Sequence, residues 1–142
     1  MRRVIYSSHA HPIEQGELQR LLRFSQNWNE EFGITGLLIY YPADEFHPAT
    51  FLQALEGELH DLEDVYAKIS QDNRHEKLVL LANDEVRSRW FGEWSMDLRY
   101  LTTDDLRRAL PGFTSANAFD AQDTKWIADA SVAESLLNLY IT

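Results

Sequence analysis

The sequence contains no cysteine. Disulfides, thiolate metal sites and thiol nucleophiles are therefore excluded, and a cytoplasmic location is the plain expectation. Apolar runs are short, and none approaches the roughly 18 residues of a membrane span. The opening MRRVIYSSHA carries two arginines, but its apolar stretch ends after Val4-Ile5-Tyr6, too short for a signal peptide. Positive charge is also scarce: 13 Lys and Arg stand against 23 Asp and Glu, a formal charge of −10, and the basic residues are scattered. Phosphate backbones and anionic lipid need clustered cations, so neither nucleic acid nor a membrane surface is an expected partner. No Walker loop, G-x-G-x-x-G or G-x-S-x-G occurs, nor any internal repeat or low-complexity linker.

What is present suits one domain. The chain has 142 residues, 44% hydrophobic and 25% charged. Residues 2 to 8 read as a strand with Val4 and Tyr6 on one face and Ile5 on the other. His9 to Pro12 read as a loop. From about Gln15 to Asn29, Leu18, Leu21, Leu22, Ser25 and Asn29 share one helical face, with Gly33 placed to end the helix region. Residues 34 to 41 and 51 to 57 read as buried strands joined by a long connection, an antiparallel pair. A second helix over 58 to 71 turns Leu59, Leu62, Val65, Tyr66 and Ile69 inward. Residues 77 to 84 predict a fourth strand, and the aromatic-rich stretch 89 to 101 a fifth. The order β-α-β-β-α-β-β gives an α+β, ferredoxin-like sheet with two helices on one face. Thr103 or Asp104 is placed to cap a short helix ending near Leu110. A last helix from about Asp123 to Tyr140 carries a stripe of Trp126, Ala130, Ala133, Leu137 and Tyr140. These helices are expected to cover the other sheet face, which would otherwise be a large apolar patch.

Three polar residues occupy apolar positions. Tyr6 shares its face with Val4, Gln53 lies between Phe51 and Leu55, and Asn29 closes the stripe of the first helix. A buried phenol or amide left unpaired costs a few kcal/mol, about 1–3 in protein mutational data, so each requires a partner. If the first and third strands are neighbours, as this topology places them, Tyr6 and Gln53 can bond each other. Each residue alone is compatible with a structural hydrogen bond or a cap, while the three together suit the polar rim of a ligand pocket. Other groups point to less. His9 and His11 find no third ligand at metal spacing. Asp72, Arg74 and His75 read as a helix-end turn, and Asp61, Glu63 and Asp64 as a solvated face. Trp94 and Met96 are expected on one strand face as aromatic core.

In V-I-Y-S-S (4 to 8), S-Q-N-W-N (25 to 29) with G-I-T-G-L-L (33 to 38), and F-L-Q-A-L-E-G (51 to 57) the chain resembles the BLUF domains, blue-light sensors that use flavin. Q-D-N-R-H (71 to 75) and R-W-F-G-E-W-S-M (89 to 96) complete the set, in the family's order, over roughly residues 2 to 101. The resemblance implies a sensor domain over 1–101 and a helical extension over 102–142 that packs on the sheet or serves interaction. It implies a flavin ring between the two helices, FAD first, with FMN or riboflavin as alternatives. Tyr6 becomes the electron and proton donor and Gln53 the bridge between Tyr6 and the ring, with Trp94 and Met96 as readout residues beside it. Trp28, Asn29, Lys68, Asp72, Arg74 and His75 become flavin contacts. The expected output is self-association or binding of a partner protein, not catalysis, since only about 40 residues follow the sensor. The fifth strand and the helices beyond it are the expected responding element.

Two features depart from the family. The stretch from Pro42 to Thr50 makes a longer hairpin loop. Trp28 stands where a smaller polar residue or His is frequent, and an indole there can stack on the ring or compete with Tyr6 as electron donor. The competing readings are a relative that has lost flavin binding and serves only as an interaction module, and a small enzyme on the same fold. Joint presence of Tyr6, Gln53 and Asn29 disfavours the first. The lack of a paired acid and base or an activated nucleophile disfavours the second.

Overall fold

The computed structural model describes residues 1–11, 13–43, 48–109 and 130–141. Strand β1 (Arg2–Ala10) leads through helix α1 (Gln15–Phe32) to the hairpin of β2 (Thr35–Tyr41) and β3 (Thr50–Gly57). Helix α2 (Leu59–Ser70), β4 (His75–Glu85) and β5 (Asp97–Tyr100) follow, then α3 (Thr103–Ala109) and α4 (Ala130–Asn138). The sheet order is β4-β1-β3-β2-β5, antiparallel except for the β2–β5 pair. This is the expected ferredoxin-like α+β arrangement with one strand added at the β2 edge.

Alternation along the strands divides the core in two. Val4, Tyr6, Leu38, Phe51 and Leu55 face α1 and α2, meeting Leu18, Leu62 and Val65. Ile5, Leu37, Ile39, Leu52 and Ala54 face the other way, where α3 and α4 supply Leu106, Ala133, Leu136 and Leu137. The C-terminal helices thus cover the second face, as the apolar alternation requires. Leu18 and Asn29, the two buried residues of α1, lie about three turns apart and so share a face. Gly33 ends the helix in the left-handed region, φ 67°, its N–H bonded to the Asn29 carbonyl.

Several local expectations are corrected. β1 runs on to Ala10, so His9 lies in the strand, opposite Thr50, and not in a loop. The fifth strand is only Asp97–Tyr100. Upstream of it, the Trp90 and Phe91 N–H groups donate to the Glu56 carboxylate at 2.7 and 2.8 Å instead of joining a ladder. The segment therefore wraps around the end of β3. Its irregular path sends Trp94 and Met96 to opposite sides of the sheet. Trp94 stacks on Phe91, 5.9 Å between centroids, within the core under α3 and α4, whereas Met96 joins the core under α1 and α2. Leu59 is 48% exposed, because a first-turn side chain leans past the start of its own helix. The cap of α3 is Thr102, in a reciprocal pair: Asp105 N–H donates to Thr102 Oγ1 at 3.1 Å and Thr102 N–H to Asp105 Oδ2 at 3.0 Å. In the last helix Ala133 and Leu137 are buried as the stripe predicts. The expected segment 123–129 with Trp126, the Pro111-Gly112 stop and part of the 42–50 loop lie outside the described residues.

Candidate functional site

Tyr6 on β1 and Gln53 on β3 are direct partners in the antiparallel register. Both are central strands, so both side chains are buried, 3% and 4% exposed. The Tyr6 hydroxyl donates to Gln53 Oε1. Gln53 Nε2 donates to the Met96 thioether at 3.5 Å, a weak acceptor. Burial pushes the Tyr6 phenol far above its usual range, and repulsion from Tyr66, once ionised, and from the Asp72 carboxylate adds to the effect. The phenol is therefore held protonated. Two features seat Met96 against Gln53. Its carbonyl accepts from Gln26 Nε2 at 2.9 Å, and its methyl rests on Gly36, where an added Cβ would stand 3.2 Å from Met96 Cε and 2.1 Å from the Ala54 carbonyl oxygen.

Tyr6 and Gln53 form the floor of a cleft of about 200 Å³ between α1 and α2. Leu21, Phe24, Ser25, Trp28 and Asn29 line it from α1, and Val65, Lys68 and Ile69 from α2. Asp72, Arg74 and His75 close one end. Pockets that enclose a whole drug-sized ligand run to roughly 300–1,000 Å³, so this space suits a ring with the remainder of its molecule outside. Asn29 is 1% exposed; its Nδ2 donates to the Ser95 carbonyl at 2.6 Å, while its Oδ1 is buried without a partner among the described residues. Trp28 Nε1 is likewise buried and unpartnered. The indole packs on Phe32, 4.7 Å between centroids, and the Lys68 ammonium stands 3.5 Å from its ring centre.

The far end of the cleft is tied internally. His75 Nε2 lies 2.6 Å from the Ile69 carbonyl, which can only accept, so this nitrogen carries the proton. In the neutral ring Nδ1 then accepts from the Ser8 hydroxyl at 2.6 Å. Asp72 Oδ1 accepts the Arg74 N–H at 2.9 Å, and Oδ2 lies 3.3 Å from the Arg74 guanidinium. The expected contacts Trp28, Asn29, Lys68, Asp72, Arg74 and His75 thus line the same cleft as Tyr6 and Gln53. Trp94 does not; its place beside Gln53 is corrected to the opposite side of the sheet.

Sequence reasoning missed the group that holds the 89–96 segment. Glu56 is fully buried and takes three donors: Arg3 Nε at 2.8 Å and the Trp90 and Phe91 N–H groups. Arg89 adds bonds to the Gly33 and Glu56 carbonyls and to Thr35 Oγ1. The available signal was the alternation of β3, which turns Glu56 to the same side as Leu52 and Ala54. Among the described residues no group of three His, Asp or Glu is placed to hold a metal ion, and no helix is long and apolar enough to cross a membrane.

The photoactivated adenylate cyclase subunit beta of Euglena gracilis is 35% identical over 99 residues, 68% of this chain. The chain spans about a tenth of that protein's length, 11%. The blue light- and temperature-regulated antirepressor BluF of Escherichia coli K12 is 31% identical over 111 residues, 75% of this chain and 26% of its own. Among solved structures, a bacterial light-regulated adenylyl cyclase superposes with a TM-score of 0.63 at 33% identity, over 71% of this chain and 28% of that one. BlsA in its photo-activated state shares the fold along nearly the whole chain, TM-score 0.75, 24% identity, covering 99% of this chain and 94% of BlsA. The family model for sensors of blue light using FAD matches residues 1–97, and the chain belongs to the BLUF family.

Proposed function

We propose that the cleft between α1 and α2 holds the ring of a non-covalently bound flavin, that Tyr6 and Gln53 form its light-driven switch, and that the output is altered protein–protein association. The observation that carries this reading is the Tyr6–Gln53 hydrogen bond on the cleft floor, beside a buried Asn29 oxygen that has no partner among the described residues. The unpartnered groups fit a flavin ring in kind. Asn29 Oδ1 needs a donor, which the ring's imide N–H supplies, and Trp28 Nε1–H needs an acceptor, which the ring's carbonyls supply. Lys68, Asp72 and Arg74 lie toward the less buried part of the cleft, suited to the remainder of the cofactor. The family's description favours FAD. Klebsiella pneumoniae BlrP1, 31% identical, was solved with FMN, and the ring-facing residues suit FMN or riboflavin equally.

When bound, the flavin supplies blue absorption and, once excited, a one-electron oxidant. Tyr6 is poised to answer it. An electron withdrawn from the phenol makes the hydroxyl strongly acidic, and its proton already points at Gln53 Oε1. Gln53 records the event, because its amide has a donor end and an acceptor end that can be rearranged. The bonds involved are worth about 0.5–1.5 kcal/mol each, so two arrangements of the amide lie close in energy. A population moved from 1:99 to 99:1 requires about 5.5 kcal/mol, so the responding element must itself be nearly balanced. Met96, bonded to Gln53 and leading into β5, is the natural relay to α3 and α4.

In this reading residues 1–101 sense and residues 102–142 respond, through a homo-oligomer or a partner protein in the cytoplasm. Cyclase activity belongs to the relatives named for it and is not carried over. The test is a visible spectrum of the purified chain before and after blue light, then in darkness. A flavin spectrum that shifts reversibly to the red is expected, with the shift absent in Tyr6→Phe. A protein that stays colourless after incubation with FAD, FMN and riboflavin sinks the reading. A shift that survives in Tyr6→Phe sinks the mechanism and spares the cofactor.

A further inference from the structure

Two side chains lining the cleft can lose an electron, Tyr6 and Trp28, yet their surroundings differ. Tyr6 has a proton acceptor in line, Gln53 Oε1, so its oxidation is helped by proton loss. The Trp28 indole N–H has no acceptor among the described residues, and a flavin carbonyl would accept only its hydrogen bond: an oxidised indole is a far weaker acid than an oxidised phenol, so it would keep its proton and its positive charge. The Lys68 ammonium stands 3.5 Å from the centre of that same ring. A cation over an aromatic face attracts the neutral ring's negative quadrupole and repels a ring that has become a cation. We propose that Lys68 keeps Trp28 redox-silent, so that light-driven oxidation is directed to Tyr6.

The inference rests on the flavin reading above and concerns what Lys68 does there beyond contacting the cofactor. The suppressed reaction is simple. One electron leaves the indole for the light-excited ring and then returns. No bond forms or breaks, nothing is consumed, and Gln53 has received no proton. Such a cycle wastes the photon, and removing the ammonium makes it easier. Lys68 is exposed, so its replacement leaves the buried core untouched.

The experiment compares wild type, Lys68→Met, Lys68→Arg and Lys68→Met/Trp28→Phe. In the flavin-free protein, indole absorption is recorded for wild type and Lys68→Met, since a charge on the ring face shifts that band. In protein loaded with FAD, three quantities are read: affinity, fluorescence lifetime of the bound flavin, and yield of the red-shifted state per absorbed photon. Lys68→Met is expected to alter the indole band, shorten the lifetime and lower the yield several-fold. Removing the indole as well should restore both, and Lys68→Arg, which keeps the charge, should rescue the yield relative to Lys68→Met. A Lys68→Met yield equal to wild type overturns the inference alone. So does a loss that persists without Trp28, which would make Lys68 a cofactor contact only. Wild-type protein that binds no flavin overturns the functional reading first, and this inference with it.

Discussion

On the side of α3 and α4 the sheet presents Ile5, Leu37, Ile39, Leu52 and Ala54, and the helices return Leu106, Ala133, Leu136 and Leu137. On the side of α1 and α2 the strands present Val4, Leu38, Phe51 and Leu55 but also Tyr6 and Gln53, and α1 returns Asn29 with an unpartnered oxygen. One face packs apolar against apolar, with the Tyr140 hydroxyl beside it buried without a hydrogen bond among the described residues. The other holds a cleft and buried polar groups that await a partner. Polarity alone does not separate them, since Glu56, fully buried, belongs by alternation to the packed side. All of its oxygens are occupied, by Arg3, Trp90 and Phe91. What distinguishes the sensing face is unsatisfied polarity gathered around one cleft, at Asn29 Oδ1 and Trp28 Nε1, the usual mark of a binding site in a native fold.

The contrast is broken most completely at Gln53. Gln53→Leu makes the cleft floor resemble the opposite face, and the light-minus-dark red shift is expected to vanish while the chain stays folded. Absorption difference spectra check this, and a full-sized shift in that variant would remove Gln53 from the switch. Next in size is Glu56→Leu. Taking away one partner of a buried ion pair strands Arg3 and two backbone N–H groups, at a cost of about 3–5 kcal/mol in urea unfolding. Leu136→Ala follows, with a cost of about 2–5 kcal/mol for the cavity it leaves. Because Leu136 lies across the sheet from the cleft, flavin affinity of the folded protein should stay within about twofold, a few tenths of a kcal/mol. An affinity that falls in step with stability would show that the two faces are not separable.

How much of this was legible depended on whether local pattern or tertiary contact decides the position. The period of two along β1 and β3 revealed Tyr6 and Gln53 as misfits, and that the two strands are neighbours followed from the element order; the register that pairs them came from the structure. The stripe of α1 revealed Asn29 for the same reason. The segment from Arg89 to Met96 misled, because its aromatic residues favour strands while its path is dictated by Glu56, 33 residues or more away in sequence, and by Arg89. That error placed Trp94 and Met96 on one strand face, whereas the position of Trp94 beside Gln53 was an expectation from the family resemblance. Opposite charges at the paired positions Arg3 and Glu56 were a usable signal, though only once the register is known. The flavin itself was not readable from spacing or burial and came from the family motifs.

The smallest expected effect concerns protons. Burial raises the Tyr6 phenol in the folded chain above the ordinary value of 10.0, with Tyr66 and Asp72 adding to it. An acid whose folded value is raised contributes stability that is fully present below its unfolded value. From about pH 10 upward the unfolded chain releases this proton and the folded chain does not, so stability falls as pH rises. The limiting slope for one such group is about 1.4 kcal/mol per pH unit. Urea unfolding of the flavin-free protein between pH 9 and 11 should therefore show a steeper decline in wild type than in Tyr6→Phe. Tyr40 and Tyr140 are raised as well, but they are common to both proteins and drop out of the difference, whereas any change at Tyr66 belongs to its coupling with Tyr6. Equal slopes would mean that the Tyr6 hydroxyl ionises as readily folded as unfolded. The sensing face would then be open to water at its floor, and its unsatisfied groups would need no ligand at all.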